Sequence, residues 1–124
     1  MDSAVITPRG KIRALVRIVA RVARVRSGDI FGPSRKTEFV YARHVALMVV
    51  SERVGITGLC ALGRVFDKDH STIRAALRRT RAEIAEGRGH RADLYADVQK
   101  AIAEHGDGVV RPTLHRERVH TWSL

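Results

Sequence analysis

The run Asp69-His70-Ser71-Thr72 places a carboxylate, an imidazole and two hydroxyls on consecutive residues where a helical periodicity begins. Small hydrogen-bonding groups on the first turn of a helix reach base edges when that turn enters a major groove. The run also has an ordinary reading, an N-cap followed by polar first-turn residues, which accounts for Asp69 and Thr72 but asks nothing of His70 or Ser71. It is not a catalytic triad, because consecutive helix residues point in different directions. A second set of side chains is cationic: Arg35 and Lys36 in a turn, then Arg74, Arg78, Arg79 and Arg81 on the outer face of the helix that follows Asp69. Basic residues outnumber acidic ones 23 to 13, for a net charge of +10, and 19 of the 23 are arginine. The planar guanidinium fork suits phosphates and base edges, so a polyanion is the partner this charge fits.

Other chemistries find less support. The six histidines (His44, His70, His90, His105, His115 and His120) and Cys60 show no convergent ligand spacing, so neither a metal nor a cofactor is expected. A single cysteine forms no internal disulfide, which fits a reducing, cytoplasmic setting. Cys60 itself reads as a small buried hydrophobe on an apolar helix face rather than a nucleophile. No Gly-rich loop ending in Gly-Lys-Ser/Thr occurs, so the backbone cradle for ATP is missing and no enzymatic activity is expected. The longest uncharged apolar run, Val45 to Val50, falls far short of the roughly 20 residues that span a bilayer, and the first ten residues lack the apolar stretch of a signal peptide.

The elements that must hold these groups are helices. The 124 residues fit one domain, and with only six aromatic residues aliphatic side chains must fill its core. Ile12, Leu15, Val16, Val19, Val22 and Ala23 recur at helical steps with Arg13, Arg17, Arg21 and Arg24 beside them, although Val22 to Arg26 also alternates loosely as a strand would. Ser27-Gly28-Asp29 and Gly32-Pro33-Ser34 are turn chemistry around an apolar peg, Ile30-Phe31. From Thr37 to about Arg53 the pattern is apolar around much of a helix, as a central helix would be. A short helix over Leu59 to Phe66, a break at Asp67-Lys68-Asp69 and a third helix from His70, with Asp69 at its N-cap, give a helix-turn-helix outline. Gly87-Arg88-Gly89 closes that helix, and Leu94, Val98, Ala101 and Ile102 mark a last one from about Arg91 to Glu104. The resulting expectation is an all-α domain over 10–105, a flexible N-terminus over 1–9 and a loose tail over 106–124.

Taken together, Phe66-Asp67-Lys68-Asp69-His70-Ser71-Thr72-Ile73, Arg35-Lys36-Thr37, Ala42-Arg43-His44-Val45-Ala46 and Leu59-Cys60-Ala61-Leu62-Gly63 resemble the C-terminal DNA-binding domain (domain IV) of the bacterial replication initiator DnaA. The resemblance covers about residues 12–104. It implies a Trp-repressor-like helix-turn-helix fold that recognises the duplex nonamer called the DnaA box. It further implies that Arg35 enters the minor groove and that Asp69, His70 and Ser71 read the major groove. Thr72 would contact phosphate, and Lys36, Arg43, Lys68 and Arg79 fall at or near backbone-contacting positions. The loop here has fewer basic residues than the family usually carries, and His44, Cys60 and Ala75 stand where glutamine, proline and a second histidine are usual.

The expected function is therefore sequence-specific binding of double-stranded DNA, as a monomer associated with the nucleoid, in control of replication initiation or of transcription. Without the phosphate loop, the expectation is a stand-alone DNA-binding domain lacking the ATPase. The rival reading is an adaptor that binds DnaA or another protein through the helix over 10–25 and the tail, with weak DNA binding. A third reading lays that same helix, aliphatic on one side and basic on the other, on an acidic membrane.

Overall fold

The aliphatic patterning resolves into six helices and, among the described residues, no strand. The computed structural model describes residues 8–55 and 58–105: α1 Pro8–Ala23, α2 Ser27–Phe31, α3 Thr37–Arg53, α4 Leu59–Phe66, α5 His70–Glu86 and α6 His90–His105. The expected N-terminal segment up to residue 7, the tail from 106 onward and Ile56-Thr57 lie outside the described residues.

The loose alternation over Val22 to Arg26 is not a strand. α1 ends inside it, where Arg24 turns left-handed (φ 63°) and the Val25 N–H donates to the Ala20 carbonyl at 2.9 Å, a closure that takes up one of the carbonyls a helix end leaves unpaired. The Ile30-Phe31 peg is a five-residue helix, α2. Ile30 is fully buried, and the Phe31 ring packs 5.2 Å from that of Phe66 in α4. Too few residues lie between the two glycine breaks for a helical period to show in the sequence.

α3 is the spine, as its pattern implies. Its apolar side chains from Ala42 to Val50 are buried around most of the circumference, because α1, α2, α5 and α6 all pack on it. α6 lies beside α3 and joins it at its end: Tyr95 Oη donates to Glu52 Oε1 at 2.7 Å and Arg53 donates to Gln99 Oε1 at 2.7 Å. α1 and α5 each pack against both α3 and α6 but make no substantial contact with each other. α1 and α5 thus flank the α3–α6 pair with separate outer faces, and α4 packs on α5. Leu15, Val19, Val49, Leu62, Ile73 and Val98 supply fully buried side chains from each of these helices.

Candidate nucleic-acid interface

The helix-turn-helix is built from α4, a three-residue turn and α5. Its turn is tight because the backbone comes close to itself. Gly63 of α4 is buried, and a Cβ there would run into the Lys68 carbonyl. Asp67 adopts the left-handed conformation (φ 55°, ψ 49°), and the Lys68 N–H donates back to the Gly63 carbonyl at 2.9 Å. Asp residues tolerate that conformation better than most side chains do. Asp69 then caps α5. Its carboxylate accepts from the Ser71 N–H at 3.1 Å, from Ser71 Oγ at 2.9 Å and from Thr72 Oγ1 at 3.1 Å. These donors, the Ser71 hydroxyl first, hold the carboxyl below the usual carboxylate range. Asp69, His70, Ser71 and Thr72 are all exposed, while Ile73, Ala76, Leu77 and Thr80 turn inward and anchor the helix. A polar first turn is thereby presented on a helix whose other face is buried.

The second cationic set is fixed to the first. Arg43, expected at the phosphate backbone, is instead turned inward and is only 7% exposed. Its Nε donates to the Ile30 carbonyl at 2.7 Å, and one terminal nitrogen reaches the carbonyls of Asp29, Gly32 and Ser34 at 3.0, 2.8 and 3.1 Å. These carbonyls lie at the end of α2 and in the loop beyond it, where a five-residue helix leaves most of its acceptors unpaired. Arg43 is thus a clamp on the loop that carries Arg35. The Lys68 ammonium, from the turn before α5, donates to the same Gly32 carbonyl at 3.2 Å. Two cations from different elements therefore hold one loop, and Arg35 stands exposed on it with its distance from α5 set. Lys36 lies over the Phe39 ring at 5.5 Å, its charge still at the surface.

Behind α5 lies a polar network absent from the sequence reading. Glu83 of α5 caps α6, accepting from the Arg91 N–H at 2.8 Å and pairing with the Arg91 guanidinium at 2.6 Å. Burial opposes the Glu83 charge, but the hydrogen bonds from Arg91 outweigh it and hold the carboxyl below its usual range. Arg91 also donates from Nε to His44 Nδ1 at 2.9 Å and covers the Tyr41 ring at 4.7 Å. Burial first, and then the charges of Arg91, Arg43 and Arg79, push the His44 imidazole down to about 4, so it stays neutral and accepts. Gly89 (φ 118°) starts α6 in a conformation that residues with a Cβ rarely adopt, and the Glu83 carboxylate packs against it. Nothing local marks this network, because its members come from three helices.

The remaining expected residues are distributed as follows. Lys68 is half-buried, whereas Arg79 is exposed on the flank of α5 near His44. Arg74 and Arg78 are exposed on α5 as well, and Arg78 shares the outward face of Ser71, two turns away. Their helical spacing from Ser71 was the available signal. Cys60 is exposed, not buried as expected: α4 turns Leu62 and Phe66 to the core, and Cys60 falls away from both into the shallow groove beside His70. Among the described residues no three His, Cys, Asp or Glu side chains stand close enough to hold a metal ion. His115 and His120 lie outside the described residues.

A family model described as the bacterial DnaA protein helix-turn-helix matches residues 12–80. The chain belongs to that family. The DnaA match runs from α1 into α5, so both the Arg35 loop and the turn at Asp69–Thr72 fall within it. Full-length relatives are DnaA proteins too. The chromosomal replication initiator protein DnaA 1 of Chlamydia trachomatis serovar D is 29% identical over 103 residues, covering 83% of this chain and 20% of that protein. The corresponding DnaA 2 of Chlamydia caviae is 30% identical over 86 residues, covering 69% of this chain and 18% of that protein. The chain spans about a fifth of the length of these DnaA relatives. The match supports DNA binding, carried on a DnaA-type helix-turn-helix.

Proposed function

We propose that this chain recognises a specific duplex site of the DnaA-box type without catalysing a reaction, and that it acts in control of replication initiation or of transcription. The first turn of α5, with Asp69, His70 and Ser71, reads base edges in the major groove, and Arg35 probes the adjacent minor groove. Lys36, Lys68, Thr72 and Arg79 meet phosphates and fix register, while Arg43 holds the Arg35 loop in place. The stretch 10–105 is the DNA-binding unit, acting as a monomer in the cytoplasm at the nucleoid. Among the described residues no helix is long and apolar enough to cross a membrane.

The observation that carries this reading is the double tether of the Arg35 loop. Arg43 and Lys68 both bond the Gly32 carbonyl, and Lys68 belongs to the turn that starts α5. A solvated basic loop needs no fixed distance from a helix, whereas two probes entering neighbouring grooves do. The test is fluorescence anisotropy at near-physiological salt with a duplex carrying a DnaA box and the same duplex scrambled. A preference of about tenfold or more for the box is expected, lost in His70→Ala, while Arg79→Ala weakens both duplexes alike. Equal binding to both duplexes by the wild-type chain would overturn base reading. No binding to either would instead favour the adaptor, to be tested by pull-down after nuclease treatment.

A further inference from the structure

We propose that the outer face of α1 is a second DNA-binding surface, which takes the phosphates of another duplex segment while α5 holds the recognised site. The inference rests on the DNA-binding reading of α5 and adds to it a bridging role.

Between Asp2 and Asp29 the chain has seven basic residues and no acidic one. Within α1, Arg9, Arg13 and Arg17 follow one another at four-residue steps, all exposed, and Arg21 continues the row. Neighbours at that spacing face each other on a helix, so each step sets like charges together and weakens the helix. No acidic residue stands in the first turn of α1, where it would suit the helix dipole, and Arg9 stands there instead. A face kept only for solubility mixes both signs. This one accepts repulsion along about 12 Å of helix, from Arg9 to Arg17, as a surface for a linear polyanion would.

The packing decides how this surface relates to the other. α1 and α5 both pack on α3 and α6 without substantial contact with each other, so the guanidinium row and the first turn of α5 lie on separate faces. One duplex cannot easily lie against both faces of so small a domain, whereas two duplex segments can. A membrane fits less well than a second duplex. Amphipathic helices bind bilayers by inserting their apolar side, and here that side is spent: Leu15, Val16, Ile18 and Val19 are buried against the rest of the domain.

The test immobilises a biotinylated DnaA-box duplex, saturates it with the full chain, washes away free protein and adds a fluorescent duplex of unrelated sequence. Wild-type protein should retain the second duplex. The variant Arg9→Gln/Arg13→Gln/Arg17→Gln should retain about tenfold less or lower still, with its anisotropy Kd for a single box duplex within about twofold of wild type. Glutamine keeps an exposed polar stem and removes repulsion, so the variant should melt at or above the wild-type temperature, which checks that it folds. Undiminished capture by the variant would overturn the proposal and point to two chains pairing, each holding a duplex through α5. Loss of single-duplex binding in parallel with capture would also overturn it, making α1 part of the primary site. So would a wild-type chain that captures no second duplex but sediments with phosphatidylglycerol vesicles. A His70→Ala change without effect on box preference, with capture still lost in the triple variant, would overturn base reading by His70 while supporting the second surface.

Discussion

Arg43 in α3 and Arg35 in the loop before it have opposite surroundings, one closed in by carbonyls and the other open to solvent. They should therefore fail differently. Arg35→Ala should leave the melting temperature unchanged and reduce box preference. In Arg43→Lys a single ammonium cannot satisfy four carbonyls, and buried acceptors left without donors cost about 1–3 kcal/mol each. That variant should lose both stability and box preference, read by thermal melting and anisotropy on the same samples. Full stability in Arg43→Lys would mean that the clamp is dispensable. His44 gives a residue-scale prediction in pH. Its folded value, about 4, lies below the ordinary histidine range, so its contribution is fully present above pH ~6.5 and is lost as pH falls toward 4. His44→Gln offers Arg91 a side-chain oxygen that does not titrate in this range, so it should flatten the fall in melting temperature between about pH 6.5 and 4.5. The carboxyls of Glu83 and Asp69, both held low, lose their contributions at more acid pH, outside that window.

Among the elements, α5 was the most legible and α2 the least. α5 announces itself through Asp69 as N-cap, an inward stripe at Ile73, Ala76 and Leu77, and Gly87 in the left-handed conformation at its end, all local signals. α2 has five residues, and its stability comes from outside: Ile30 in the core, Phe31 against Phe66, and Arg43 on its carbonyls. The cap on α6 was equally hidden, because Glu83 belongs to another helix. Arg43 is expected at the DNA backbone, and its inward turn stays hidden in the sequence because side-chain direction at the edge of an all-round apolar helix depends on which neighbour arrives. The same limit explains Cys60, whose exposure depends on which side α4 turns toward Leu77 and Ile73. The residue of α4 on which the turn depends is Gly63, and its role is testable at this scale. Gly63→Ala would force its methyl group against the Lys68 backbone carbonyl, so the turn must open, at about 1–3 kcal/mol. DNA affinity should fall further than stability does, since the Lys68 tether to the Arg35 loop moves with the turn. Cys60→Ala, three residues earlier on the exposed side, is the control and should change neither.

At the scale of the whole molecule, the described residues gather exposed cationic side chains on two faces. The outer side of α5 with the Arg35 loop is one concentration, and α1 is the other, with α3 and α6 packed against both helices. This division makes the salt dependence of binding informative, because each phosphate neutralised releases counterions and steepens the slope of log K against log salt by about 0.9. If only the α5 face meets a single duplex, its cations Lys36, Lys68, Arg74, Arg78 and Arg79 set the limit, and the slope should be about −4 to −5 despite the larger total charge. Arg79→Ala should make it shallower by about one, whereas His70→Ala should lower affinity for the box with the slope unchanged. A slope near −9 for a short single duplex would mean that the whole charge is engaged at once, and the separation of faces would not hold in solution. Because the slope counts charges rather than energies, it distinguishes a domain with two separate faces from one basic surface wrapped around a single duplex.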